Sequence, residues 1–345
     1  MTKIIDCSMG EGGGSIVRIS VALAALTKTS LKLINIRANR SNPGLRAQHL
    51  EAINALQQLS GFSVEGAKIG SKMVIISEGN NPKNDALVNI RTAGSISLVS
   101  QAVSYYSFIQ KRDIRLTIKG GATHGKWAPS IEYLENVTHS LLKLMNKKIN
   151  IETNKFGFFP KGGAETILRY DRCENPTPLI LTDKGELERI KVYSTASISL
   201  RNRKVAERQL KSFIKNAAPD VEITPIINYV ESISPGSGLT VVNQYSSGSS
   251  KGTFVPGEKN LSAEEVGEIC CSIWKRMKQR TGAIDVYATD QLIVPMALTN
   301  SKSEITVDEI SNHTKTNIEL IKKFFQKAIV IKKEKDHYSI MMKNL

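Results

Sequence analysis

The chain contains more than one copy of the same pattern. "GGGSIVRISVALAAL", from Gly12, and "TAGSISLVSQAVSYY", from Thr92, share a Gly-Ser step that opens an apolar helical pattern, with Gly14 aligned on Gly94. A strand pattern follows in each, "LKLINIRA" from Leu31 and "DIRLTIKGG" from Asp113. A polar loop and a second helix come next, "LRAQHLEAINALQQL" and "PSIEYLENVTHSLLKLM". Two short strands close each unit, including "KMVIISE" in the first and "NIETN" in the second. A weaker third copy starts near Thr289 with "TDQLIVPMAL" and runs through "SEITVDEI" and "NIELIKKFF" to "HYSIMMKN". The pattern predicts an α/β (α+β) protein of three units, each packing two amphipathic helices on one face of a small mixed sheet.

Between Lys184 and Arg280 this period breaks. The stretch reads as strand "RIKVYSTA", helix "RKVAERQLKSFIKNA", strands "EITPIINYVES" and "GLTVVNQY", a polar "SSGSSKG" turn and helix "SAEEVGEICCSIWKRMKQR". It is large enough to be a smaller α/β domain inserted into the repeats. The expected division is residues 1–183 with 281–345 for the repeats and 184–280 for the insertion. Ser246–Gly252 reads as a flexible loop.

Of the 345 residues, Lys and Arg exceed Asp and Glu enough to give a formal net charge of +15, which favours a polyanionic partner such as nucleic acid. No apolar run reaches membrane-spanning length, so no membrane partner is expected. The start, "MTKIIDCSMGEGGG", lacks the basic-then-apolar layout of a secretory signal, and a cytoplasmic protein is expected. Cys7, Cys173, Cys270 and Cys271 show no CxxC spacing, which argues against a zinc site or a disulfide framework. The adjacent Cys270–Cys271 pair reads as helix packing.

"MGEGGGS", Met9–Ser15, lies between the short strand "KIIDCS" and a helix, where exposed amides and the helix N-terminus suit an anion. No GK[ST] follows, so it is not a P-loop, and Ser15 stands where GxGxxG needs its third glycine. Glu11 would repel a phosphate unless a divalent cation bridged the two, which points to Mg²⁺ (or Mn²⁺) at that carboxylate. In "IRANRSNPGLRAQHL", Arg37, Arg40, Arg46, Gln48 and His49 crowd one loop and the helix after it. Arginine forks match phosphate oxygens, and Arg18 can join from the helix after the glycine turn. His313 stands just ahead of the helix in "SNHTKTNIELIKKFF", at the position that the arginine cluster occupies in the first repeat. An imidazole there can attack phosphorus to give a phosphoramidate. A capping or surface histidine would look the same, and the residues alone leave the two readings open.

The blocks "GEGGGSIVRIS", "RANRSNPGLRAQH", "TAGSISLVSQ", "FGFFPKGGAE", "ATDQLIVPMAL" and "EITVDEISNHTKTNI" together resemble the RNA 3′-terminal phosphate cyclases, in order and over nearly the whole chain. That resemblance implies three repeats like the C-terminal domain of translation initiation factor three, with an insertion of thioredoxin-like topology. The enolpyruvyl transferases, which share a related repeat architecture, are a distant alternative. The resemblance further implies ATP-dependent conversion of an RNA 3′-terminal phosphate to a 2′,3′-cyclic phosphate, through a covalent histidyl-AMP and an RNA-(3′)pp(5′)A intermediate.

The resemblance implies the following roles at matching positions. His313 is the nucleophile, and Glu11 is tied to metal and nucleotide phosphates. Arg18, Arg40, Gln48 and His49 hold the terminal phosphate or nearby nucleotide phosphates. Gln101 lies in the cleft, and Pro129, Tyr133, Phe254, Tyr287, Asp290 and Gln291 surround the adenine. The loop "GGATHGKWAPS" departs from the family pattern, which leaves Pro129 one residue uncertain and His124 without a role, expected on a surface loop. The alternative function is a non-catalytic, cyclase-like ribosome-biogenesis factor, a branch that lacks the histidine. A plain RNA-binding protein would explain the charge but not these blocks. A homodimer is compatible with the sequence, although no interface can be read from it.

Overall fold

A computed structural model, which describes residues 2–218 and 221–345, resolves the repeats into βαβαββ units. The first comprises β1 (Lys3–Asp6), α1 (Gly14–Thr27), β2 (Leu31–Ile34), α2 (Ala47–Ser60), β3 (Ser63–Glu65) and β4 (Val74–Ser77). The second comprises β5 (Asp85–Ser95), α3 (Ile96–Ser107), β6 (Ile114–Ala122), a helical stretch over 131–144, β7 (Ile149–Lys155) and β8 (Glu165–Tyr170). That stretch is α4 (Ile131–Tyr133), a π-helical turn (Leu134–Thr138) and α5 (His139–Leu144). In each unit the first two strands pair in parallel and the rest antiparallel, giving the orders β1-β2-β4-β3 and β5-β6-β8-β7. Period-two alternation decides which face is covered: Ala86, Val88 and Ile90 of β5 point into the core, while Leu87 and Asn89 point out.

The third unit does not begin near Thr289, as the sequence suggests. It begins upstream of the insertion, at β9 (Ile180–Leu181). A two-residue strand leaves no periodicity to read. The insertion follows as β10 (Leu187–Ser197), α6 (Val205–Ala217), β11 (Ile223–Val230), β12 (Ser237–Tyr245), β13 (Ser250–Pro256) and α7 (Ala263–Gln279). Its sheet runs β11-β10-β12-β13. The unit then resumes with α8 (Val286–Ala297), β14 (Ser303–Val307), α9 (Asn312–Phe324), β15 (Lys327–Lys333) and β16 (Tyr338–Asn344), in the order β15-β16-β14-β9. This is the strand order of the first two units.

One apolar core runs through all three repeats. Within it α1 is apolar on nearly every side because it packs against α2, α3 and α9 together. A second core lies between the insertion's sheet and α6 and α7, and holds Phe213, Trp274, Cys270 and Cys271. All four cysteines are free and buried, and burial pushes both thiols of the adjacent pair up, as packing residues require. The "SSGSSKG" stretch is a tight hairpin rather than a loose loop, for β13 begins at Ser250. Its tip, residues 246–248, is exposed, but its second half is buried and paired with the third unit: Lys251 Nζ lies 2.7 Å from Asp308 Oδ2 and donates to Gly282 O, while Ser249 Oγ donates to Ala283 O. Among the described residues no helix is long and apolar enough to cross a membrane.

His139 is buried in this core with neither nitrogen hydrogen-bonded among the described residues, and burial pushes its pKa down to about 3. An unfolded imidazole titrates near pH 6.5, so above that pH the group is neutral in both states and adds no pH dependence. As the pH falls below about 6.5, the unfolded chain takes up a proton that the native chain refuses, which removes about 2 kcal/mol of stability by pH 5. The difference in unfolding free energy between pH 7 and pH 5 should therefore shrink by about that amount in His139→Leu. Equal differences in the two proteins would exclude this origin of acid sensitivity.

Candidate active site

Four helix N-termini meet at one place because a glycine turn lets them approach. Gly10 has φ +57° and lies against Thr316 of α9, where a Cβ would come 2.1 Å from Thr316 Oγ1. At Gly14, the first residue of α1, a Cβ would stand 1.9 Å from His49 Nε2. Only glycine brings α1 that close to α2. On the other side of α2, Gln48 Oε1 accepts the backbone N–H of Ser95, which caps α3, at 3.0 Å. His313 lies in the first turn of α9, and its Nδ1 is 3.4 Å from Ser15 Oγ at the start of α1. Helix N-termini carry partial positive charge, so the site attracts anions before any side chain is counted.

The side chains add to that charge. Arg18 is only 6% exposed, and its Nη2 donates to Gln101 Oε1 at 3.4 Å. Burial lowers its guanidinium to about 10; Tyr105 opposes that fall and Arg37 adds to it, and the group stays charged at neutral pH. Arg37 is lowered by burial and then by Arg40 and Arg46. Among the described residues neither Arg18 nor Arg37 has an ion-pair partner. His49 is buried, and its Nδ1 accepts the Arg46 backbone N–H at 3.1 Å. Burial, followed by Arg18, Arg37 and Arg46, holds that imidazole well below its ordinary range, so it is neutral at pH 7.

One carboxylate enters this field. Glu11 Oε2 lies 3.0 Å from His313 Nε2 and 3.5 Å from Arg40 Nη2. The His313 side chain is 42% exposed, so it faces both the glycine turn and solvent. Its helix is anchored from behind. Ser311 caps α9, accepting the Thr314 N–H at 2.9 Å, and Ser311 and Thr314 both donate to Asp290 Oδ1, at 2.6 and 2.5 Å. Burial raises the Asp290 carboxyl, and the two hydroxyls and His313 oppose that rise. Among the described residues no three His, Cys, Asp or Glu side chains cluster around a metal position. Glu11 alone fits a cation whose other ligands are phosphate oxygens and water.

The residues predicted to surround adenine divide. Tyr287 is exposed on the first turn of α8, and Pro129 and Phe254 each keep a partly open face. Tyr133 does not, as it is 2% exposed and donates to Asp285 Oδ1 at 2.7 Å. Its ring belongs to the core. Gln291 is also buried, accepting from Thr138 Oγ1 and donating to Tyr287 O. Asp290 serves the start of α9, as described. His124, expected on a surface loop, is buried instead: its Nε2 is 3.0 Å from Glu132 Oε2, and its ring lies 5.2 Å from Phe158 and 5.5 Å from Phe254. Burial pushes the Glu132 carboxyl up, but His124 and the Thr195 hydroxyl hold it below its ordinary value.

Sequence reasoning missed Asp285. It caps α8, accepting the Tyr287 and Ala288 N–H groups, and its other oxygen accepts Gly252 N–H of the insertion at 2.9 Å. An Asp directly before a helical pattern was the available signal.

These features define a repeat protein in which a partly exposed histidine and a glycine turn adjoin a group of arginines. Comparison with known proteins supplies the family. The RNA 3′-terminal phosphate cyclase family matches residues 9–331. An RNA 3′-terminal phosphate cyclase of Methanococcoides burtonii is 37% identical over 335 residues, covering 96% of this chain and 97% of the relative. The protein of that name from Pyrococcus furiosus is 36% identical over 335 residues, 95% of each chain. A third, from Desulfurococcus amylolyticus, is 34% identical over 94% of this chain and 93% of its own length. The chain belongs to the RNA 3′-terminal phosphate cyclase family.

Gly14→Ala should lower the unfolding free energy by about 1–3 kcal/mol through overpacking against His49, although alanine favours helix over glycine. Urea denaturation measures this. An unchanged midpoint would mean that α1 and α2 separate freely at their N-termini.

Proposed function

We propose that the protein converts an RNA 3′-terminal phosphate to a 2′,3′-cyclic phosphate with ATP as the activating substrate. The observation that carries this reading is the placement of His313 Nε2 against Glu11, which also pairs with Arg40, beside Arg18 and Arg37, which have no ion-pair partner among the described residues. In the first step Nε2 attacks the α-phosphorus of ATP. A P–N bond forms, the P–O bond to the leaving group breaks, and pyrophosphate departs. The proton that Nε2 shares with Glu11 must leave as that contact opens for the nucleotide, and Nδ1–H donating to Ser15 Oγ then keeps the lone pair on Nε2. Arg18 and Arg40 stabilise charge that develops on the phosphate oxygens, in a site already arranged for it.

In the second step an oxygen of the RNA 3′-phosphate attacks the same phosphorus, the P–N bond breaks, and RNA-(3′)pp(5′)A forms. In the third the vicinal 2′-hydroxyl attacks the RNA phosphorus, loses its proton, and expels AMP. The need for that hydroxyl restricts cyclisation to an RNA end. Arg40, Gln48 and His49 hold the terminal phosphate, and Gln101 positions Arg18. Tyr287, Pro129 and Phe254 offer faces to the adenine. Glu11 would hold a divalent cation that would neutralise further charge on the nucleotide phosphates. Catalysis is assigned to residues 1–183 and 281–345, with 184–280 as the inserted domain.

Incubation with α-labelled ATP and Mg²⁺ should leave acid-labile label on the protein, and His313→Ala should abolish it. Wild-type protein that binds RNA but never labels would identify a non-catalytic member of the family. Glu11→Ala should label at least tenfold more slowly, with partial rescue by excess metal, whereas undiminished labelling would remove Glu11 from the site.

A further inference from the structure

The loop "GFFPKGG" between β7 and β8 has no part in the chemistry above, yet contacts tie it to the phosphate cluster. The Thr123 N–H and hydroxyl both donate to Gly157 O, at 2.9 and 3.1 Å, and Phe158 bridges to Gly162 to close the loop. Phe158 is buried against His124. Gly162 lies so close to the end of β5, just before α3, that a Cβ would come 2.8 Å from Thr92 O. That strand end is the one Gln48 holds: besides the Ser95 hydrogen bond, a Cβ at Gly94 would be 3.3 Å from Gln48 Cβ. The loop therefore sits directly outside a residue assigned to the terminal phosphate.

At its tip Phe159 is 77% exposed, although its neighbour Phe158 is buried. Lys161, two residues on, and Arg91, next in the chain to Thr92, are both exposed, and neither has an ion-pair partner among the described residues. The insertion forms a wall, with Ile233 against Gly163 and the Lys161 N–H donating to Ser234 Oγ at 3.2 Å. A protein partner would favour a contiguous apolar patch free of charge. An exposed aromatic face in a loop that also carries an exposed cation suits a nucleobase with its backbone phosphates nearby.

We propose that Phe159 is the stacking platform for the 3′-terminal nucleobase of the RNA, with Arg91 and Lys161 on the adjoining backbone phosphates. This rests on the cyclase reading, and its test separates the two. Binding of a short 3′-phosphorylated RNA by the full chain without ATP, followed by fluorescence anisotropy, reads the platform whether or not the protein is active. Phe159→Ala should weaken binding by about tenfold to a hundredfold, and Phe159→Trp should restore it. An RNA whose last nucleotide is abasic should bind the wild type as weakly as normal RNA binds Phe159→Ala, with no further loss when the two changes are combined. Labelling by α-labelled ATP should be unchanged in Phe159→Ala, and its cyclisation should show a raised KM for RNA at nearly constant kcat. Equal RNA binding by wild type and Phe159→Ala would overturn the platform, as would an abasic penalty of the same size in both. Absence of label on wild type would instead overturn the cyclase reading alone.

Discussion

Positive charge that outweighs its counter-charge is the constraint around which this site is arranged. The N-termini of α1, α2, α3 and α9 converge, Arg18 and Arg37 have no ion-pair partner among the described residues, and the carboxylate of Glu11 lies against His313 and Arg40. Burying a guanidinium without a partner is unfavourable, and the lowered pKa of Arg18 registers it. The neutrality of His49 limits the repulsion. What holds these groups in place is the apolar core beneath them, which is shared by all three repeats and does not depend on the site. An anion that enters relieves a repulsion already built into the fold, so its binding energy is not spent on reorganising the protein.

The three units share a strand order but contribute different chemistry. The first supplies the glycine turn, Glu11 and the arginines. The second supplies the N-terminus of α3 and Gln101, and the third supplies His313. Because α1 packs on α2, α3 and α9 at once, a shift in any unit moves the start of α1 relative to the others. The polar joints are similarly shared. Asp285 links α8, Tyr133 of the second unit and Gly252 of the insertion through one carboxylate.

What the sequence made legible was mostly local. The glycine turn, the arginine loop and the helix bearing His313 are short motifs whose residue types act near one another in the chain, and the repeat pattern brought them to one place. What stayed hidden depends on distant partners. Lys251 sits in a run of Ser and Gly that looks like an exposed loop until Asp308 is brought against it. His124 looked exposed because Glu132 becomes its partner only through a helical turn, and Thr195, which fixes that carboxylate, lies in the insertion. Tyr133 falls on a family motif, but that says nothing about whether the ring faces the cleft or the core. The two residues of β9 carry no period, so the third repeat seemed to start after the insertion.

That short strand also sets an order of assembly. β9 pairs with β14 across the whole inserted domain, so the last sheet cannot close until the insertion has been synthesised and its ends have been brought together. The arginines and glycine turn lie wholly upstream of this late closure, whereas His313 arrives with it. During synthesis on the ribosome, the glycine turn and the arginine loop therefore emerge well before the helix that carries His313.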